Sequence, residues 1–135
     1  PDCLKVSPGF TKLVALQIAH LLIKKFENGD RPLTDSQISA QLEMPIRLVH
    51  NVLFDLVESG LVSEIKTQAD KEFAYQPARD INDLTIQFVL QALDQKGTDD
   101  IPVAKSDDYQ ALSDALKKFS EAMESSPANK LLKDI

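Results

Sequence analysis

The sequence predicts a mainly α chain with one small β-hairpin, and three observations carry that prediction. Only 6% of the 135 residues are aromatic and there is no Trp, whereas an all-β domain draws on aromatic and β-branched strand formers. Four glycines and seven prolines are few turn residues for a sandwich, which needs a turn every 8–12 residues. Two long stretches, FTKLVALQIAHLLIKKF and IRLVHNVLFDLVES, lack Pro and Gly altogether, as helices require. With 43% apolar and 27% charged residues, the composition is that of one folded domain.

The first stretch, Phe10 to Phe26, carries apolar residues on nearly every side of a 3.6-residue wheel, so it reads as a buried helix, stopped by Asn28-Gly29-Asp30. Thr34 with Gln37 three residues on forms a capping box that opens a short helix, about Asp35 to Leu42, with Ile38 and Leu42 inward. Glu43-Met44-Pro45 is a tight turn, and Pro45 suits a first helical position because no amide partner is lost there. A third helix follows. Its apolar stripe is Ile46, Val49, Val52, Leu53, Leu56 and Val57, opposite Arg47, Asn51, Asp55 and Glu58, and Gly60 supplies a left-handed cap. Leu61 to Lys66 and Glu72 to Gln76 are short β-forming runs around a polar tip and read as a hairpin. Helix, short helix, long helix and hairpin in that order make a winged helix-turn-helix, assigned to residues 10–80 after an N-terminal linker at 1–9.

Residues 81–135 read as a helical extension. A fourth helix, about Asp83 to Gln95, has Asp80 and Asn82-Asp83 as candidate caps, and the Asp-rich segment 97–108 reads as a polar linker. The last helix, about Asp107 to Glu124, places Tyr109, Leu112, Leu116, Phe119 and Met123 at spacings of 3, 4, 3 and 4, a narrow stripe suited to a partner helix. The closing LLKDI is apolar enough to dock as a strand or turn. The first helix offers more apolar surface than a small core covers, so Leu13, Leu16 and Ile23 join the five stripe residues as a candidate partner interface, in a homodimer or against another domain. The alternative is that the two stripes cover each other within one chain.

Charge and motif content narrow the function classes. A net charge of −6, and five basic against seven acidic residues across 31–79, argue that this surface repels phosphate, so nucleic acid is not expected as a partner. If it does bind, the contacts are Arg47 and Asn51 on the third helix with Lys66 and Lys71 on the wing; otherwise Arg47 pairs with Asp55 or Asn51 along the helix. No catalytic motif, phosphate loop or cofactor site is present in the pattern. His20 and His50 have no ligand partners at metal spacing and read as core or boundary histidines, and Asp99, Asp100, Asp107 and Asp108 lack the spacing of a calcium loop. Cys3 is the one cysteine, too few for a disulfide or a cysteine-ligated cluster. No run of about 18 apolar residues spans a bilayer, and the chain opens without Met, as a piece of a longer protein would.

The run MPIRLVHNVLFDLVESGLV, the segment FAYQPARDINDLTI and the closing LLKDI resemble the C-terminal extension of the YihY/BrkB family of inner-membrane proteins, in its Bacteroides-type form, long labelled ribonuclease BN or tRNA-processing ribonuclease. The resemblance implies a non-catalytic accessory domain on the cytoplasmic face of the inner membrane, joined to its own upstream membrane domain and used for protein contact or regulation. The ribonuclease label finds no His/Asp cluster here. LVALQIAHLL also resembles the opening helix of winged-helix repressors that sense iron–sulfur clusters, although Cys3 alone departs from their cysteine pattern. Two alternatives to the accessory-domain reading are therefore a DNA-binding transcriptional regulator and part of a tRNA-processing ribonuclease.

Overall fold

The computed structural model describes residues 5–68 and 72–135, so Cys3 and Lys71 lie outside the described residues. Helix α1 runs Pro8–Glu27, two residues earlier than the apolar pattern suggests, because the Ser7 hydroxyl accepts the Phe10 amide and Pro8 takes a position that needs no amide partner. The helix therefore begins inside the segment assigned to a linker. Gly29, at φ 76°, ends it in the left-handed region, and the two-residue strand β1, Leu33–Thr34, follows.

Helix α2, Asp35–Leu42, opens on the expected capping box: Thr34 Oγ1 accepts the Gln37 amide at 3.2 Å, and Gln37 Oε1 accepts the Thr34 amide at 2.9 Å. Glu43 turns the chain at φ 53°, and Ser39 holds the turn by donating from its hydroxyl to the Met44 carbonyl at 2.6 Å. Helix α3, Ile46–Glu58, starts one residue after Pro45, whose ψ of 138° makes it the cap and not the first helical residue. Ile46 is exposed and Leu48 buried, which shifts the inward stripe from the expected set at its first turn: the chain enters from the α2 turn, so the first residue projects past the core. At the other end Gly60, at φ 74°, lets the Leu61 amide reach back to the Leu56 carbonyl at 3.0 Å.

Strands β2, Val62–Lys66, and β3, Phe73–Pro77, pair antiparallel with Glu64 opposite Tyr75 and Lys66 opposite Phe73. β1 adds to the other edge of β3, so the sheet has three strands in the order β1-β3-β2, one more than the hairpin expected. The extra strand was hidden by its length, since two residues carry no period. Helix α4 spans Ile86–Asp94, and its cap is Thr85, whose hydroxyl oxygen accepts the Phe88 amide at 3.0 Å; Asp80 instead accepts from Asn82, in a turn that holds its carboxyl below the usual range. Helix α5 covers Asp107–Glu124 as expected, capped by Ser106, with Asp107 and Asp108 at the favourable positive end of the helix dipole.

The core lies where α1, α3 and the sheet meet, with Ile18, Leu22, Ile38, Val49, Leu53 and Leu56 almost without exposure. The C-terminal segment closes it. Leu132 is buried, its amide donates to the Leu84 carbonyl at 3.0 Å, and Lys24 donates to the Lys133 carbonyl at 2.6 Å, so the 3₁₀ turn Leu132–Asp134 ties the end of the chain to α1 and to the segment that leads into α4. The docking expected for LLKDI is thus a turn. No described helix is long and apolar enough to cross a membrane.

Candidate nucleic-acid interface

α2, the Glu43–Pro45 turn and α3 form a helix-turn-helix whose second helix has one exposed face. Arg47, His50, Asn51, Phe54 and Glu58 lie along it at helical spacing, while Val49, Val52, Leu53 and Leu56 face the core. Its N-terminal half is polar and donor-rich. The His50 ring donates to the Asp35 carboxylate from the first turn of α2, which pins the two helices of the motif together.

The acidic residues that weigh against phosphate binding are partly occupied by the fold. Asp55 lies two turns beyond Arg47 and pairs with Lys96 at 2.8 Å, a residue 41 positions away, so the expected Arg47–Asp55 pair does not form. Among the described residues Arg47 takes part in no ion pair. Glu64 accepts from the Tyr75 hydroxyl at 3.2 Å, and burial together with that carboxylate pushes the Tyr75 phenol up to about 12. On the wing, Lys66 is exposed at the end of β2 beside Phe73 of β3. Lys71, the second wing contact expected, lies outside the described residues.

The candidate partner interface divides. Ile23 is 1% exposed and belongs to the core, and Leu16 is half-buried against it, because α1 packs on α3, α4 and the C-terminal turn over more of its circumference than a three-helix core implies. Leu13 is exposed. Along α5 all five stripe residues face solvent, from 40% exposure at Tyr109 to 69% at Leu116, so the two stripes do not cover each other. α5 is held to the body along the face next to the stripe, where the Gln87 amide side chain donates to the Ser120 hydroxyl at 3.1 Å.

Sequence reasoning missed two residues. His50 lies at the same helical spacing as Arg47 and Asn51, a signal that was readable. Lys96, which neutralises Asp55 and sits 5.9 Å from the Phe54 ring centre, reaches α3 only through the fold. His20 differs from a satisfied core histidine: its Nε2 is buried without a hydrogen-bond partner among the described residues, and burial with the neighbouring Lys24 charge lowers its pKa. Among the described residues no group of three His, Cys, Asp or Glu is placed to hold a metal ion.

No family model matches the chain, and no curated protein does. Solved structures do. IscR of T. potens is similar over 91% of this chain and 82% of its own at 18% identity, with a TM-score of 0.58. CymR, the global cysteine regulator of B. subtilis, is similar over 97% of this chain and 95% of its own at 19% identity and a TM-score of 0.62. A Listeria innocua protein described as a transcriptional regulator covers 93% of this chain, with 82% of its own length, at 16% identity and a TM-score of 0.62. These likenesses show the fold, a winged helix, and the B. subtilis and L. innocua proteins are described as regulators. They also correct one expectation. The expectation that nucleic acid is not a partner does not hold on net charge, since proteins of this fold are described as regulators, the L. innocua one as a transcriptional regulator, and a charge summed over the whole chain does not describe one exposed helix face. Nothing in these comparisons bears on the YihY/BrkB resemblance. By its fold the chain is a winged helix-turn-helix of the kind seen in IscR and CymR.

Proposed function

We propose that the chain is a DNA-binding regulator that works as a two-fold dimer, with α3 in the major groove and α5 against its copy. The observation that carries this reading is the exposed N-terminal half of α3, where Arg47, His50 and Asn51 stand together while Asp55 is held by Lys96. Arg suits the O6 and N7 edge of guanine and Asn the N6 and N7 edge of adenine, and each good bidentate contact discriminates by about 1–3 kcal/mol. Lys66 would meet the flanking backbone from the wing.

The acidic balance then becomes a property of the binding. With few phosphate contacts, non-specific affinity is low, and base contacts carry a larger share of the total. The unpartnered α5 stripe supports a dimer, which would set two recognition helices about one helical turn of DNA apart, roughly 34 Å. Enrichment of protein-bound duplexes from a random pool tests the proposal. It expects a two-fold symmetric motif, lost in Arg47→Ala and Asn51→Ala variants that keep the wild-type circular dichroism. If no sequence is enriched, the accessory-domain reading that follows from the YihY/BrkB resemblance stands in its place.

A further inference from the structure

A cleft of about 290 Å³ opens between the N-terminal half of α1, the middle of α3 and the end of α4. Its floor is apolar, made by Ala15, Val52 and Leu93, and Ala15 and Val52 are themselves core residues. Residues 8, 11, 12 and 15 reach it from α1 because spacings of three and four bring them to one helix face. The rim is charged and balanced. Lys12 pairs with Asp94 at 3.2 Å and Lys96 with Asp55 at 2.8 Å, and all four side chains keep between 31% and 59% of their surface in solvent.

That combination selects a ligand class. A plain anion would have to take a lysine from its carboxylate and leave that carboxylate facing the new negative charge; a plain cation meets the mirror-image difficulty. A wholly apolar molecule would fill the floor but desolvate the rim. A zwitterion with an apolar side chain meets both parts at once: its carboxylate takes the place of Asp94 at Lys12, its ammonium takes the place of Lys96 at Asp55, the displaced Asp94 and Lys96 are already 59% and 36% exposed to solvent, and the net charge of the site is unchanged. Exposed ion pairs contribute little, so they open readily. We propose that this cleft binds an α-amino acid with an apolar side chain, through Lys12 and Asp55 at its charged ends and Ala15, Val52 and Leu93 beneath its side chain. The proposal does not require DNA binding, although the ligand ammonium would take the place of Lys96 at Asp55, the pair that the DNA-binding reading also uses.

Calorimetry on the intact chain tests it, with L-leucine, L-valine, L-methionine and L-phenylalanine as probes, and isoamylamine and 4-methylpentanoate as half-ligands that carry one charge each. The expected result is saturable binding of at least one amino acid, at least about tenfold weaker binding of both half-ligands, and a loss of about tenfold or more in both Lys12→Gln and Asp55→Asn. Backbone amide shifts at Ala15 and Val52 on titration would place the ligand in the cleft, and those of the variants would establish that they are folded. The proposal is overturned if none of the four probes saturates at millimolar concentration, if a half-ligand matches its amino acid, or if binding survives both substitutions.

Discussion

Replacing Leu116 and Phe119 by Asp should turn a dimer into a monomer without disturbing the helices. The five stripe residues of α5 keep 40–69% of their surface in solvent, which amounts to about three fully exposed large side chains per chain and about six in a pair. Burying each is worth about 1.5–3 kcal/mol, so a seam that covers them all gains roughly 9–18 kcal/mol against an association cost of roughly 4–15 kcal/mol. The surplus is a few kcal/mol, which corresponds to a dimer of about millimolar affinity. Leu116 and Phe119, at 69% and 68% exposure, account for nearly half of the stripe. Their loss from both chains removes about 4–8 kcal/mol, before any repulsion between the introduced carboxylates, and weakens the dimer by about a thousandfold or more. Sedimentation equilibrium over a concentration series, with far-ultraviolet circular dichroism on the same samples, reads both quantities. A wild-type chain that sediments as a monomer at about 1 mM, or a double variant that loses its helical spectrum, would refute the reasoning, the second by showing that the stripe is part of the core.

Other expectations follow from the packing and the titrating groups. Ile38→Ala, at a side chain with no exposure between α2 and α3, should cost about 2–5 kcal/mol in chemical denaturation, read as a lower midpoint at unchanged slope. Thr34→Ala breaks the capping box of α2 and should cost about 1 kcal/mol. The folded state holds the Tyr75 proton up to about 12 while the unfolded chain releases it near 10, so that part of the stability is complete below pH 10 and lost as the pH rises toward about 12; Tyr75→Phe should flatten this decline in urea melts. His20 shifts the other way. Its lowered pKa means the unfolded chain takes up the proton first, so stability falls as the pH drops below about 6.5, and His20→Leu should reduce that acid sensitivity.

Local signals in the sequence located most elements because each rests on a few neighbouring residues. The Thr34–Gln37 capping box, the Gly29 and Gly60 stops and the 3-4-3-4 stripe of α5 all have their physical cause within one or two helical turns. What depended on distant residues was less legible. The two-residue β1 exists only because β3 is there to pair with it, and the loss of Ile23 from the candidate interface follows from a core that also includes α4 and the C-terminal turn. The candidate site shows the same division. Arg47 and Asn51 could be picked from helical periodicity, but the occupation of Asp55 by Lys96 and of Asp35 by His50 appears only when the chain is folded. A count of charges along the sequence treats those carboxylates as free, and for that reason it weighed too heavily against nucleic acid.

The most direct measurement is the salt dependence of binding to a selected duplex, by fluorescence anisotropy, for the wild type and Arg47→Ala. The log of the association constant should fall with the log of salt concentration at a shallow slope, near −0.9 for each phosphate contacted, because few basic residues face the DNA. Arg47→Ala should cost about 1–3 kcal/mol on the selected sequence and far less on a scrambled one, at a nearly unchanged slope, since a base contact adds affinity only where its base is present. Equal losses on both sequences, or no difference in affinity between them for the wild type, would contradict the account.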